Sequence, residues 1–326
     1  MRSGRKLSRI FVPVILLAIL GLAWLNHQNI YDWWRLRGYN PPAAVAALAS
    51  ADSMNSKATH IFYVNHPRLI GNSANFRSQC SANEQTIILG CYHPDQLGIY
   101  VYDVKDQRLS GIEEVTAAHE MLHAAYDRLS GKDKANVDKM LQDFYKNGLN
   151  DQRIKDTIES YKETEPNDLV NEMHSIFGTE VTNLPAPLES YYKRYFDNRS
   201  AVVTFSEKYE AEFTSRKSRA DQIESQLKSL KVKVDNEEAN LNAQRSKINS
   251  DQSRLDSLRS SGRTSEYNSQ VSAYNAEVDD YNAGVATYKA DISRYNALVA
   301  EYNSIAGELN QLYGAIDTRL QSESTR

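Results

Sequence analysis

The last third of the chain carries a heptad repeat, and no other feature restricts the fold as strongly. Tyrosine recurs every seven residues from Tyr267 to Tyr302, and an aliphatic residue, first Val271 and last Val299, stands three positions before each tyrosine that follows. No proline follows Pro187. Aliphatic residues at a and tyrosine at d, sustained over more than four heptads, predict a long coiled-coil helix. We expect the tyrosines to fill its seam, and a glycan-binding aromatic ladder is the alternative.

A second stripe with the same period lies upstream, from Leu227 to Leu255. Its partner positions are weaker, because polar residues stand at Glu237, Gln244 and Asp251. The glycine-containing segment 260–265 separates the two stripes and predicts a turn. We therefore expect residues 200–320 to form a long antiparallel α-helical coiled-coil hairpin, followed by a tail of residues 321–326.

The N-terminus has the layout of a signal anchor. A basic stub, residues 1–9, precedes an apolar stretch at residues 10–26. This order predicts one transmembrane helix with the N-terminus in the cytoplasm and the bulk of the chain outside. A juxtamembrane segment, residues 27–40, follows. The aromatic residues that would lie at the membrane interface are Trp24, Tyr31, Trp33 and Trp34. A cleaved signal peptide is the alternative.

Charge and cysteine content exclude several classes of protein. The 326 residues include 38 basic and 42 acidic side chains, a net charge of −4. This balance argues against a nucleic-acid partner, because proteins that bind nucleic acid carry a basic excess on some face. Two cysteines, Cys80 and Cys91, are too few for a disulfide-dense scaffold or a thiolate zinc finger. Outside the cytoplasm they could form one disulfide, and two buried thiols are the alternative.

Residues 41–199 have a globular composition and are expected to form a domain with a short sheet and several helices. Strands are expected at residues 60–64, 86–92 and 98–104. The sequence Ser110–Glu113 resembles a capping box and predicts a helix that ends at Gly131. Further helices are expected at residues 132–147, 152–163 and 167–178. The overall fold class expected is therefore α+β, followed by the coiled-coil hairpin.

The sequence His119-Glu120-Met-Leu-His123 lies within the first of these helices. Histidines at i and i+4 project from one face of a helix and can bind one zinc ion through their ring nitrogens. The glutamate between them then stands beside the attacking water as a general base. The alternative is a pair of core histidines on an amphipathic helix. A catalytic zinc site needs a third protein ligand, which we expect on a later helix.

These motifs resemble the active site of the gluzincins, the zinc metallopeptidases of which thermolysin is the familiar member. The resemblance rests on HEMLH followed downstream by NEMHSIFGT, within residues 115–179. It implies a small gluzincin-like peptidase domain. It also implies that His119 and His123 are zinc ligands, that Glu120 is the base and that Glu172 is the third ligand.

The chain departs from the gluzincin pattern in two respects. The gap between the second histidine and the ligand glutamate is longer and contains two expected helices. In addition, Ile176 stands where the family has an acidic residue four positions after that glutamate. His174 and Glu180 are therefore alternatives for the third ligand.

Together these features predict a membrane-anchored, extracytoplasmic zinc metallopeptidase with one Zn²⁺ per chain. Glu120 would take a proton from the attacking water and pass it to the leaving amine. Strand 98–104 could pair with an extended substrate backbone. The candidates for stabilising the oxyanion are Tyr191, Tyr192, Tyr195 and His174.

The expected partners follow from the same parts. They are a peptide or protein substrate, the membrane through the N-terminal helix, and a protein or cell-wall partner through the coiled coil. The alternative function is a coiled-coil surface scaffold or adaptor with a structural or vestigial metal site. A zinc hydrolase that cleaves cell-wall peptide cross-links is a further possibility.

Overall fold

The computed structural model describes most of the chain, with side chains from residue 15 onward. The described residues are 4–80, 87–94, 97–164 and 166–319. The chain divides into two compact units. The first contains residues 1–211 and 315–326, and the second contains residues 212–314.

Helices predominate in the described residues, and the one sheet found among them has three short strands. The helices are α1 Gly4–Leu25, α2 His27–Leu36, α3 Ala43–Ala51, α4 Ser56–Val64, α5 Ser73–Gln79, α6 Ile112–Asp127, α7 Gly131–Asn147, α8 Gln152–Thr164, α9 Leu169–Glu180, α10 Ala186–Tyr192, α11 Arg199–Ser260 and α12 Thr264–Ile316. The strands are β1 Arg68–Ile70, β2 Gly90–His93 and β3 Gly98–Tyr102. The expected combination of a small sheet, surrounding helices and two long C-terminal helices is confirmed at this level.

The structure does not support the expected transmembrane helix at residues 10–26. This segment is helical up to Leu25, where α1 ends. However, no helix in the described part of the chain is both long enough and apolar enough to cross a membrane. The side chains of residues 10–14 lie outside the described part.

Strand β3 lies at the centre of the sheet, whose order is β1-β3-β2. β1 runs parallel to β3 with Leu69 opposite Val101, and β2 runs antiparallel to β3 with Cys91 opposite Tyr100. Both edges of β3 are therefore occupied, and the prediction that this strand pairs with a substrate is wrong. β2 starts later than expected, and Thr86 lies outside the described residues.

The strand expected at residues 60–64 is helix α4 instead, and β1 takes the place of the third strand. The Asn55 side chain begins this helix by accepting hydrogen bonds from the backbone amides of Lys57 and Ala58 at 3.0 and 3.1 Å. Such a cap satisfies amides that the first turn leaves unpaired. The helix buries an apolar face with helical spacing, formed by Ala58, Ile61, Phe62 and Val64.

Helix α6 does not begin with the expected capping box at Ser110–Glu113. Gly111 precedes the helix with φ at 110°, and a side chain there would lie 3.0 Å from the Phe205 carbonyl oxygen. Only glycine tolerates both conditions. The Glu113 carboxylate accepts the Val104 amide at 2.9 Å instead of closing a box.

The helices after α6 agree with the expected positions apart from their ends. Gly131, expected to stop α6, begins α7, because the Ser130 hydroxyl accepts the Asp133 amide and caps the new helix. Gly178, expected to stop α9, lies inside it. A Cβ atom at position 178 would collide with Leu122 and Tyr192, so this glycine allows close packing around α9.

In the second unit, α11 and α12 pack against each other in antiparallel directions. Ion pairs join Arg216 to Glu308 and Lys233 to Asp291. A later residue of α11 therefore faces an earlier residue of α12, as it does between antiparallel helices. The apolar cluster between them consists of Ile223, Leu230, Val234, Leu298 and Ile305. The turn forms at Gly262, with φ at 73°. The repeated tyrosines from Tyr267 to Tyr295 are half-buried along the seam.

Candidate metal centre

Helix α6 is buried on most of its surface, packed among α3, α4, α9 and the sheet. The alanines of this helix have no side chain beyond Cβ, which lets neighbouring elements approach closely. His119 and His123 lie one turn apart, with ring centroids 4.7 Å from each other. The packing therefore fixes two imidazoles on one face of a rigid helix.

Glu172 in the first turn of α9 faces both histidines. Its Oε2 atom lies 3.4 Å from His119 Nε2, and its Oε1 atom lies 3.4 Å from His123 Nε2. In the described part of the chain, these three residues are the one group of His, Cys, Asp and Glu side chains with metal-binding spacing, with one ligand atom each within 4.8 Å of the others.

Each nitrogen–oxygen distance in this triad, to a different oxygen of Glu172, matches the spacing of two ligands on one metal ion better than a direct hydrogen bond. Two ligand atoms at 2.0–2.1 Å from a tetrahedral zinc ion lie about 3.4 Å apart. An N–H···O hydrogen bond is shorter, about 2.7–3.2 Å between heavy atoms. Glu172 Oε2 is also buried without a hydrogen-bond partner. The donor set therefore suits a divalent cation such as zinc.

The electrostatics of Glu172 favour its ionised form. Burial raises the pKa of this carboxyl group, but the nearby charges of His123 and His119 lower it. A hydrogen bond from Tyr161, on α8, acts in the same direction as the histidines. The net result is a pKa below the usual value, which keeps the carboxylate in the state that binds a cation.

Glu120 is buried between α6 and the start of β2. A Cβ atom at Gly90 would lie 2.6 Å from Glu120 Oε1 and 2.5 Å from Thr116 Cγ2. These distances are shorter than real Cβ contacts, so any larger residue at position 90 requires the Thr116 and Glu120 side chains to move. The backbone of β2 therefore passes close to the Glu120 carboxylate.

The two alternative third ligands have other partners. His174 is fully buried, and its Nε2 atom lies 2.9 Å from the Tyr191 hydroxyl. Burial lowers the pKa of His174 well below its usual value. Glu180 forms an ion pair with Arg153 at 2.7 Å. Neither belongs to the triad that contains Glu172.

The tyrosines considered for oxyanion stabilisation lie in the core around His174. The Tyr192 hydroxyl donates to the His174 carbonyl at 2.6 Å, and the Tyr191 and Tyr195 hydroxyls lie 3.4 Å apart. All three tyrosines are buried. Their hydroxyls serve packing and internal hydrogen bonding at these positions.

The C-terminal end of α9 is held by Arg199, a buried residue at the start of α11. Its guanidinium donates to the carbonyl oxygens of Val181 and Thr182 at 2.7 and 3.0 Å and to the Glu189 carboxylate. The last carbonyls of a helix lack partners within the helix, so a cation there stabilises its end. Arg199 thereby helps fix the helix that carries Glu172.

Sequence reasoning missed three contributors to the site. Tyr161 and Arg199 contact partners outside their own helices, and no local pattern marks them. Gly90 lies in an expected strand, but its contact with Glu120 depends on how the sheet packs on α6. The pairing of Cys80 with Cys91, which the sequence left open, is a disulfide that ties the end of α5 to β2.

Comparison with known proteins does not assign the chain to a family. No family model matches the chain, and no curated protein and no solved structure is significantly similar to it.

Proposed function

We propose that the chain is a zinc-dependent metallopeptidase, with His119, His123 and Glu172 as the residues that hold the zinc ion. One observation carries the proposal: both imidazole Nε2 atoms lie 3.4 Å from oxygens of one buried carboxylate. Two histidines and one glutamate are a donor set of catalytic zinc sites, which keep a fourth position open. The resemblance of HEMLH and NEMHSIFGT to gluzincin motifs points to the same residues.

The buried Glu120 favours an enzyme over a structural metal site, because a structural site has no use for a second carboxyl group beside Glu172. A bound zinc ion would lower the pKa of a water molecule and polarise the substrate carbonyl. Glu120 accepts the proton of the attacking water and then donates it to the leaving nitrogen. Tyr161 and Arg199 keep Glu172 and its helix in position.

The Cys80–Cys91 disulfide supports an extracytoplasmic location for this activity. Disulfides persist in oxidising compartments and are rare in the cytosol. Peptide bonds in proteins or in cell-wall cross-links are the substrates consistent with such a location. A coiled-coil scaffold with a structural metal site is the competing function.

Two variants of the full chain separate these functions. Glu120→Gln is expected to retain about one zinc ion per chain and to lose hydrolysis of a denatured protein. Glu172→Gln is expected to lose most of its zinc, since it removes the charged ligand. Glu180→Gln is the matched control and is expected to retain both properties. A wild-type chain that binds zinc but hydrolyses neither denatured proteins nor wall peptides would support the scaffold.

A further inference from the structure

Helix α2 packs against the rest of the first unit through its polar side. Asp32 is 4% exposed, and its carboxylate accepts two hydrogen bonds from the Arg128 guanidinium at 3.0 Å. The same carboxylate contacts His60 Nε2 at 2.8 Å and accepts the Gln28 amide at 2.7 Å. Arg35 donates to a backbone carbonyl at the end of α4. Three polar residues of α2, Gln28, Asp32 and Arg35, are thus bonded within the protein.

The apolar side of α2 faces solvent. Ile30, Trp33 and Trp34 are 50%, 61% and 64% exposed. At 100° per residue these three side chains fall within an arc of about 100°, opposite Gln28 and Asp32. An amphipathic helix of a globular protein normally buries its apolar face and exposes its polar one. α2 does the reverse, and turning it over would separate the half-buried Arg128 guanidinium from the Asp32 carboxylate.

The residue types on the exposed face of α2 indicate what kind of partner this face binds. Tryptophan concentrates at the boundary between lipid headgroups and hydrocarbon, where an amphipathic ring is favourable. The Arg37 guanidinium lies over the Trp33 ring, 5.4 Å from its centroid, which places a cation beside the aromatic surface. The neighbouring helix α1 continues the apolar surface, with Trp24 and Leu25 74% and 71% exposed.

We propose that α2 lies on the surface of a lipid bilayer, with Ile30, Trp33 and Trp34 inserted at the level of the headgroups. Helices that bind in this way sink their apolar face about 5–10 Å into the boundary between headgroups and acyl chains. Arg37 then meets the anionic phosphates of the headgroups. Arg128 follows the last turn of α6, so the Asp32–Arg128 pair connects the bound helix to the helix that carries both histidines. This inference does not depend on peptidase activity.

The three tryptophans of the chain all lie between residues 24 and 34, which allows a direct test. Two single-tryptophan variants of the full chain keep only Trp33 or only Trp34, with phenylalanine at the other tryptophan positions. Each is reconstituted into vesicles of phosphatidylcholine and phosphatidylglycerol that contain a lipid brominated near the headgroup. Emission is then measured with and without aqueous acrylamide.

We expect the brominated lipid to quench both tryptophans, and their acrylamide quenching to fall about threefold or more relative to the lipid-free chain. A tryptophan introduced by Leu97→Trp into a tryptophan-free chain is the control, because Leu97 is 63% exposed on another part of the first unit. Three results would overturn the proposal. They are full acrylamide access in vesicles, protection from acrylamide without lipid quenching, as in a protein complex, and equal lipid quenching at position 97.

Discussion

Glu113 is expected to make the first unit less stable as the pH rises. Its carboxyl group is half-buried and lies near Asp103, while its Oε1 atom accepts the Val104 amide. Burial, followed by the negative charge of Asp103, raises the pKa of Glu113 from 4.5 to about 7. A residue held in this way favours its protonated form in the folded chain.

The direction and size of the effect follow from proton linkage. Between pH 4.5 and about 7 the folded chain binds more protons at Glu113 than the unfolded chain does, so stability falls across this range. The difference between the two pKa values, at about 1.4 kcal/mol per pH unit, sets an upper limit of about 3 kcal/mol. Partial solvent exposure reduces this figure, and we expect about 1–3 kcal/mol.

Glu113→Gln removes the titrating group and keeps its contacts. The glutamine oxygen can accept the Val104 amide, and the glutamine nitrogen can donate to Asp103. The variant should match the wild-type chain near pH 4.5 and exceed its free energy of unfolding by about 1–3 kcal/mol at pH 8. Urea unfolding followed by near-ultraviolet circular dichroism at both pH values measures this difference. Glu163→Gln, at an exposed position, is the control. An equal effect of Glu113→Gln at both pH values would refute the reasoning.

Three further predictions concern packing and a buried hydrogen bond. Gly90→Ala should push the Glu120 carboxylate from its place and lower hydrolysis about a hundredfold while zinc content stays unchanged; loss of zinc would contradict this. Thr318→Val should lower the free energy of unfolding by about 1–2 kcal/mol, because the buried hydroxyl donates to the Ile88 carbonyl at 2.7 Å. Leu298→Ala should cost the helical hairpin about 2–4 kcal/mol by far-ultraviolet circular dichroism, and Val232→Ala, at an exposed position, less than about 0.5 kcal/mol.

The features that the sequence predicted correctly are those with a local period. The heptads of α12 repeat every seven residues, and His119 and His123 share a helix face whatever surrounds them. The motif that contains Glu172 lies within one helix, and the structure brings this residue into one possible metal-binding group with both histidines. In each case the pattern and the structure that it predicts occupy the same short stretch of chain.

The errors arose where a helix cap or a packing contact outweighs the local residue pattern. The β-branched and aromatic residues at 60–64 favour a strand, but the Asn55 cap and a buried helical face make this segment a helix. Ser110 and Glu113 fit a capping box, yet the packing of Gly111 against Phe205 displaces the helix start. Thr318 contacts Ile88 from 230 positions away, and no sequence pattern marks such a pair.

X-ray absorption at the zinc edge of the zinc-loaded full chain tests the central claim most directly. The proposed site predicts two imidazole nitrogens at about 2.0–2.1 Å and oxygen ligands at about 2.0–2.2 Å, with no sulfur. Glu172→Gln should abolish this spectrum or lower zinc binding sharply, whereas Glu180→Gln should leave it unchanged. A chain that takes up no zinc, or a spectrum with three imidazoles, would contradict a centre built from His119, His123 and Glu172.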